Sequence, residues 1–216
     1  MSTDFSDQRL SYEKGELDAS ALPELPLPLL QHWVAEAIEQ GAPEPYAMSL
    51  ATCGSDGQPG VRIVLMREIT EAGVVFYTNY DSAKGQDIAD NPQAEVLFFW
   101  HEMQRQVRIR GKVAKVAAAK TDAYFHKRPR DSQLAAWVSE PQSGEVASRE
   151  VMEANFAELL ERFPEGTDIP TPEFWGGYEL VATEIEFWQG RANRMHDRIV
   201  YTKQADGAWS TSRLLP

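Results

Sequence analysis

Hydrophobic positions recur at helical spacing from Leu30 through Trp33, Val34, Ala37 and Ile38, and Gly41 is placed to end that helix. Upstream, residues 1–20 lack apolar periodicity and predict a mobile arm, and the three prolines of Leu22–Pro28 predict an extended connector. Beyond Gly41 the period shortens to alternation. Tyr46–Cys53, Val61–Arg67 and Gly73–Asn79 read as strands, the first two joined by the turn cluster Gly54-Ser55-Asp56-Gly57. A short helix over Ser82–Asp90, capped by Asp81 or Ser82, stops before Asn91-Pro92. Ala94–Trp100 and Gln104–Val116 predict a further antiparallel pair. Helices are expected over Ala117–His126, from Pro129 to Val138, and over Ser148–Phe163. The last sets Val151, Asn155, Phe156, Leu159, Leu160 and Phe163 near one face. Tyr178–Trp188, Arg198–Lys203 and Trp209–Leu214 close the chain as strands. Strands joined mostly by short turns predict a mainly β protein, an antiparallel barrel with peripheral helices. It forms a single domain over 21–216 behind the arm.

Composition narrows the class. At 216 residues and 43% hydrophobic content, the chain can bury a sizeable core. A net charge of -12 argues against non-specific binding of nucleic acid or anionic membrane. Arginine clusters are therefore local exceptions to the overall field. Cys53 is the only cysteine, which excludes an intramolecular disulfide and a cysteine-based zinc site within one chain. The polar, acidic start is unlike a signal peptide, and no apolar run reaches membrane-spanning length, so a cytoplasmic protein is expected.

Four segments gather donors. The run from Glu186 to Arg198 packs arginines, a histidine, an aspartate and an amide beside Trp188. That set suits a flat aromatic ligand with anionic groups, and a charged solvent hairpin explains the composition equally well. Arg62 and Arg67 fall on opposite faces of one strand, so only one can point into a packed interior. The strand Phe76-Tyr77-Thr78-Asn79 opens into a capped helix bearing Lys84, where free N–H groups suit an anion. Gln104, Gln106, Arg108 and Arg110 share a strand face, as a donor row or as a solvated barrel surface. Arg128 and Ser132 flank a helix N-terminus at Pro129, a good phosphate site or an ordinary basic surface.

The order Glu186-Phe187-Trp188-Gln189, four residues, then Arg194-Met195-His196-Asp197-Arg198 resembles the C-terminal motif of the pyridoxamine 5'-phosphate oxidase family. Gln58-Pro59, two residues, then Arg62-Ile63-Val64-Leu65 is similar to that family's FMN-binding strand, and Tyr124-Phe125-His126 with Arg128-Pro129 is close to another of its motifs. The resemblance implies a homodimeric, Greek-key, FMN-binding split β-barrel with the flavin at the subunit interface. It implies cofactor contacts from Arg62, Ile63, Val64, Leu65, Met66, Arg67, Tyr77, Thr78, Lys84, Gln106, Gln142, Ser143, Trp188 and Arg198. Tyr124, Arg128 and Ser132 would grip the substrate phosphate, Arg67 would touch substrate, and Arg9 and Tyr12 would approach it from the arm. Arg194 and His196 are the implied catalytic pair. The implied reaction oxidises pyridoxamine or pyridoxine 5'-phosphate to pyridoxal 5'-phosphate, with O2 reduced to H2O2. Several positions depart from the family pattern: Arg67 stands where lysine is usual, Ala83 where a phosphate-binding arginine is usual, and Leu10 and Ser11 where the arm is expected to be polar. The rival readings are a split-barrel flavin reductase, another FMN oxidoreductase, and a non-catalytic binder of FMN or pyridoxal phosphate.

Overall fold

The computed structural model describes residues 11–140 and 142–216. Helix α1 (Pro26–Glu39) precedes strands β1 (Ala47–Cys53), β2 (Pro59–Leu65), β3 (Glu68–Ile69) and β4 (Gly73–Asn79). Helix α2 (Ala83–Asp90), β5 (Gln93–Trp100) and β6 (Arg105–Lys115) follow, then helices α3 (Ala118–Lys127), α4 (Arg130–Val138) and α5 (Arg149–Arg162). The chain finishes with β7 (Trp175–Gln189), β8 (Asp197–Lys203) and β9 (Trp209–Arg213).

The strands lie in the order β2-β1-β5-β6-β7-β4-β3, all antiparallel, with β8 between β7 and β9. Strand β7 is the fork. Its first half pairs with β4 from Trp175 to Val181, and its second half pairs with β8 from Glu184 to Gln189. One 15-residue strand thereby serves two diverging sheet edges, which splits the barrel. The other side closes within a single dipeptide. Met66 donates its N–H to Tyr46 on the β1 side, and Arg67 donates to Val75 on β4.

Alternation along β1 turns Met48, Leu50 and Thr52 inward, where they meet Val96, Phe98, Val107, Ile109, Leu180 and Phe187. Leu30, Trp33 and Ala37 of α1 plug one end of this core. Each fully buried side chain such as Leu30 or Phe98 stabilises by roughly 1.5–3 kcal/mol relative to its exposed state. A second cluster, Phe125, Leu134, Ile169 and Trp175, lies beneath α3 and α4.

The structure shifts several expected boundaries. Helix α1 starts at Pro26, inside the expected connector, because first-turn residues have no intrahelical acceptor for the N–H that proline lacks. Residues 11–18, expected as part of a mobile arm, lie along the barrel: Leu17 is buried and its N–H bonds Asp197 at 3.1 Å. Helix α5 forms where expected, yet Val151 and Leu160 of its apolar face are exposed, and only Phe156, Leu159 and the adjoining Phe163 pack on the second cluster. Strand β3 was not expected; two residues carry no readable period.

Candidate active site

The first set of functional side chains surrounds a cavity of about 280 Å3 near the closure of the barrel. Its lining includes Ile63, Val64 and Leu65 of β2, Arg67, Tyr77 and Thr78 of β4, Lys84, Tyr124, Arg128, Gln142 and Trp175. Aromatic rings make its floor. Tyr77 stacks on Tyr124 at 3.8 Å between centroids and on Trp175 at 5.5 Å. Burial first, then the neighbouring Glu68, Tyr124 and Tyr80, push the Tyr77 phenol up to about 12, so it stays protonated as a donor. Arg128 lies over the Trp175 ring at 4.6 Å. Its Nη1 is buried without a hydrogen-bond partner among the described residues. Burial lowers the Arg128 pKa, and Arg67 adds to that effect against Tyr124, which opposes it. An unsatisfied guanidinium N–H on a residue that lines one cavity with Arg67 and Lys84 calls for an anion.

Beside it, β4 hands over to α2. Ser82 caps that helix by accepting from the Gly85 N–H at 3.2 Å while its own hydroxyl donates to Asn79. A side chain at Gly85 would run into the Tyr80 carbonyl at 2.0 Å, so the tight turn requires glycine there. The turn carries Lys84 into the cavity, where Nζ donates to Thr78, Ser82 and Gln142 at 3.1–3.2 Å. Burial, then the Arg62 charge, lowers the Lys84 pKa. Arg62 points inward from β2, bonds Thr52 at 2.6 Å and lies 3.6 Å from Asp87.

A second set lies around β6, β7 and β8. Gln106 opposes Trp188, and Trp188 opposes Arg198, in one row across three strands. The turn after β7 places Asn193 and Arg194 in succession at positive φ, 56° and 60°. Asparagine tolerates that conformation, while an arginine held there costs roughly 1–3 kcal/mol. His196 packs against Trp188 at 4.8 Å and Tyr12 at 5.8 Å, and its Nδ1 accepts from the Arg191 N–H at 3.1 Å. Asp197 clamps this region. It accepts from Leu17 of the arm and from Arg213 of β9, and it pairs with Arg191. None of this second set lines the first set's cavity.

Comparison with known proteins identifies the family, and its two matched regions cover residues of both sets. Residues 34–163 match the family described as pyridoxamine 5'-phosphate oxidase, and residues 175–216 match the pyridoxine 5'-phosphate oxidase C-terminal dimerisation region. A pyridoxine/pyridoxamine 5'-phosphate oxidase of Psychrobacter cryohalolentis is 67% identical over the full length of both chains. One from Deinococcus deserti is 51% identical, covering 99% of this chain and all of that one. The chain belongs to the pyridoxamine 5'-phosphate oxidase family. Among solved structures, PhzG from Burkholderia lata, in complex with tetrahydrophenazine-1-carboxylic acid, superposes with a TM-score of 0.85 at 32% identity, covering 91% of this chain and 95% of that one. A pyridoxamine 5'-phosphate oxidase-related, FMN binding protein from Nostoc punctiforme shares the fold, with a TM-score of 0.72 at 17% identity over 91% of this chain and 99% of that one.

Within this family member, most of the expected positions fall into the two sets. Ser132 does not line the cavity; it lies in the first turn of α4, its N–H bonded to Pro129. Met66 is buried in the core. Ser143 faces a neighbouring hollow of about 380 Å3 that shares Gln142 with the cavity. Arg9 lies outside the described residues. Of the expected donor row, Gln104 sits outside β6 in a left-handed turn, while Arg108 and Arg110 are neutralised by Glu95, Glu184 and Glu186, which favours the solvated surface for those two. The expectation gave no role to Glu186, Asp87 or Asp197. Glu186 and Asp197 stand inside the C-terminal motif and could have been found as partners for its arginines. Gln104, expected as a donor in the strand row, instead accepts at Oε1 from the Glu13 and Lys14 N–H groups of the arm. No described helix is long and apolar enough to cross a membrane.

Proposed function

We propose that this protein oxidises pyridoxamine 5'-phosphate or pyridoxine 5'-phosphate to pyridoxal 5'-phosphate with FMN as cofactor. The observation that carries this reading is the cavity of Arg67, Lys84 and Arg128 over stacked aromatic rings, in which a buried guanidinium N–H lacks a partner. Phosphate oxygens satisfy such a donor, and a flat pyridine or flavin ring suits the aromatic and strand walls. Arg62, Lys84, Thr78 and Gln142 would hold FMN beside the α2 N-terminus. Arg128 and Tyr124 would take the substrate phosphate. When bound, FMN supplies the hydride acceptor, with O2 reoxidising it to give H2O2. The chain's own contribution is positioning: Arg194 orients substrate from its strained turn, and His196 hydrogen-bonds it.

We further infer a homodimer with the flavin between subunits. Val61, Ile63 and Phe99 are 67%, 63% and 52% exposed on one outer sheet face, large side chains that a partner subunit would cover. That face runs on through Gln106 to Trp188 and Arg198, so a two-fold contact would bring the second set of one chain toward the cavity of the other. Family membership also motivates a cytoplasmic location.

The test is a visible spectrum of the purified protein before and after anaerobic addition of pyridoxine 5'-phosphate. The expected result is a flavin spectrum that bleaches with substrate and returns with air. Bleaching by NAD(P)H alone would reassign the protein to flavin reductases.

A further inference from the structure

The turn between β7 and β8 aims a backbone donor at a side chain that ordinarily titrates. The Arg191 N–H lies 3.1 Å from Nδ1 of His196. An amide N–H can only donate, so Nδ1 must present its lone pair. A neutral imidazole carries one proton, which is then on Nε2; an imidazolium would set two N–H groups against each other. The surroundings act in the same sense. Trp188 and Tyr12 pack on the ring, and burial first, then the Arg194 charge, disfavour a positive charge on it; the turn's other cation, Arg191, is paired with carboxylates. The neighbouring carboxylate, Asp197, is occupied by Arg213, Arg191 and the Leu17 N–H, and Glu16 is paired with Arg191.

His126 shows the opposite arrangement within the same chain. Its Nδ1 lies 2.9 Å from the carbonyl oxygen of Asp122, with the Asp122 carboxylate 3.5 Å away. A carbonyl can only accept, so the neutral His126 ring carries its proton on Nδ1. The two histidines are opposite tautomers, each set by one backbone group.

We propose that His196 acts on the bound ligand as a neutral hydrogen-bond donor through Nε2, meeting a ligand lone pair, and is not the base that takes a proton from the substrate. The identity of the ligand rests on the oxidase reading above; the tautomer does not. A group with its only free nitrogen already protonated can orient an acceptor atom and stabilise charge growing on it. It cannot receive a proton without breaking the Arg191 contact and moving the turn that carries Arg194.

The experiment is nitrogen NMR on the FMN-loaded, substrate-free protein with ring-labelled histidine. The chain has four histidines, and the H196Q and H126Q variants assign the two that matter. The expected spectrum shows His196 with N–H at Nε2 and a bare Nδ1, and His126 with the reverse. A proton on Nδ1 of His196, or a charged His196 ring at neutral pH, overturns the inference. Kinetics supply a second readout. Glutamine can set an amide N–H near the Nε2 position, asparagine only near Nδ1. H196Q should keep kcat/KM for pyridoxine 5'-phosphate within about tenfold of wild type, and H196N should lose about a hundredfold. Equal loss in both variants overturns the donor role. Absence of turnover by the wild type overturns the oxidase reading instead, and is told apart because the spectrum still reports the tautomer.

Discussion

Glu186 and Arg198, diagonal neighbours on adjoining strands, form a two-bond fork, Nε to Oε1 at 2.7 Å and Nη2 to Oε2 at 3.1 Å. The carboxylate is buried, and Arg108 adds a third contact at 3.3 Å. With Nη1 bound to the Leu215 carbonyl, the Arg198 guanidinium has one aim only. Removing the charge of Glu186 leaves two arginines without their shared counter-ion. E186Q should lower stability by about 2 kcal/mol, read as a fall in Tm of several degrees, and weaken FMN binding several-fold in a fluorescence titration. Unchanged FMN affinity would leave the fork with a purely structural role.

Arg128 is the cation with the unpaired buried N–H. R128M should raise KM for pyridoxine 5'-phosphate and cut kcat/KM by about a hundredfold, the loss of roughly 3 kcal/mol of charge-assisted bonding. Bound FMN should be retained, which a flavin-to-protein absorbance ratio measures. R128K should recover only part of the loss, because an ammonium cannot reproduce the planar fork over Trp175.

Ala83 is exposed at the first position of α2, next to Lys84. A83R adds a guanidinium at a helix N-terminus already disposed toward anions. FMN affinity should rise about tenfold and the gain should shrink with added salt, checked by titration at two ionic strengths. No gain would mean that Arg62 and Lys84 already saturate the phosphate.

Lys84 titrates early because burial, and then Arg62, lower its pKa from 10.5. A phosphate binds the charged form, so affinity for FMN is full below the lowered pKa and is lost as pH rises through it. Bound phosphate should pull that pKa back up, so FMN binding takes up protons on the alkaline side. An affinity-versus-pH series should show this limb in the wild type and not in K84M.

Much of this was legible in the chain. Alternation placed β1 and β5 to within a residue or two, and the short apolar runs of β4 and β8 placed those strands as closely. The motifs around Arg62, Arg128 and Arg194 pointed to the two regions where the structure gathers the donor side chains. Other features were hidden for physical reasons. Of the αL pair, Asn193 is a residue that favours that conformation, whereas Arg194 is not, so only half of the turn could be read locally. The exposure of Val151 and Leu160 could not be read from a helical stripe, which predicts a face and not whether anything covers it. Ser132 carries the right hydroxyl at the right spacing, yet the first turn of α4 keeps it out of the cavity lining.

The barrel is zipped shut at Met66 and Arg67, and Arg67 also reaches the ligand cavity. Seam and binding site therefore share a residue, so an anion held there acts as a clasp on the fold. Ligand occupancy should slow breathing of that seam more than opening elsewhere in the sheet. The amide protons of Met66 and Arg67 would exchange with solvent measurably more slowly once the cavity is filled.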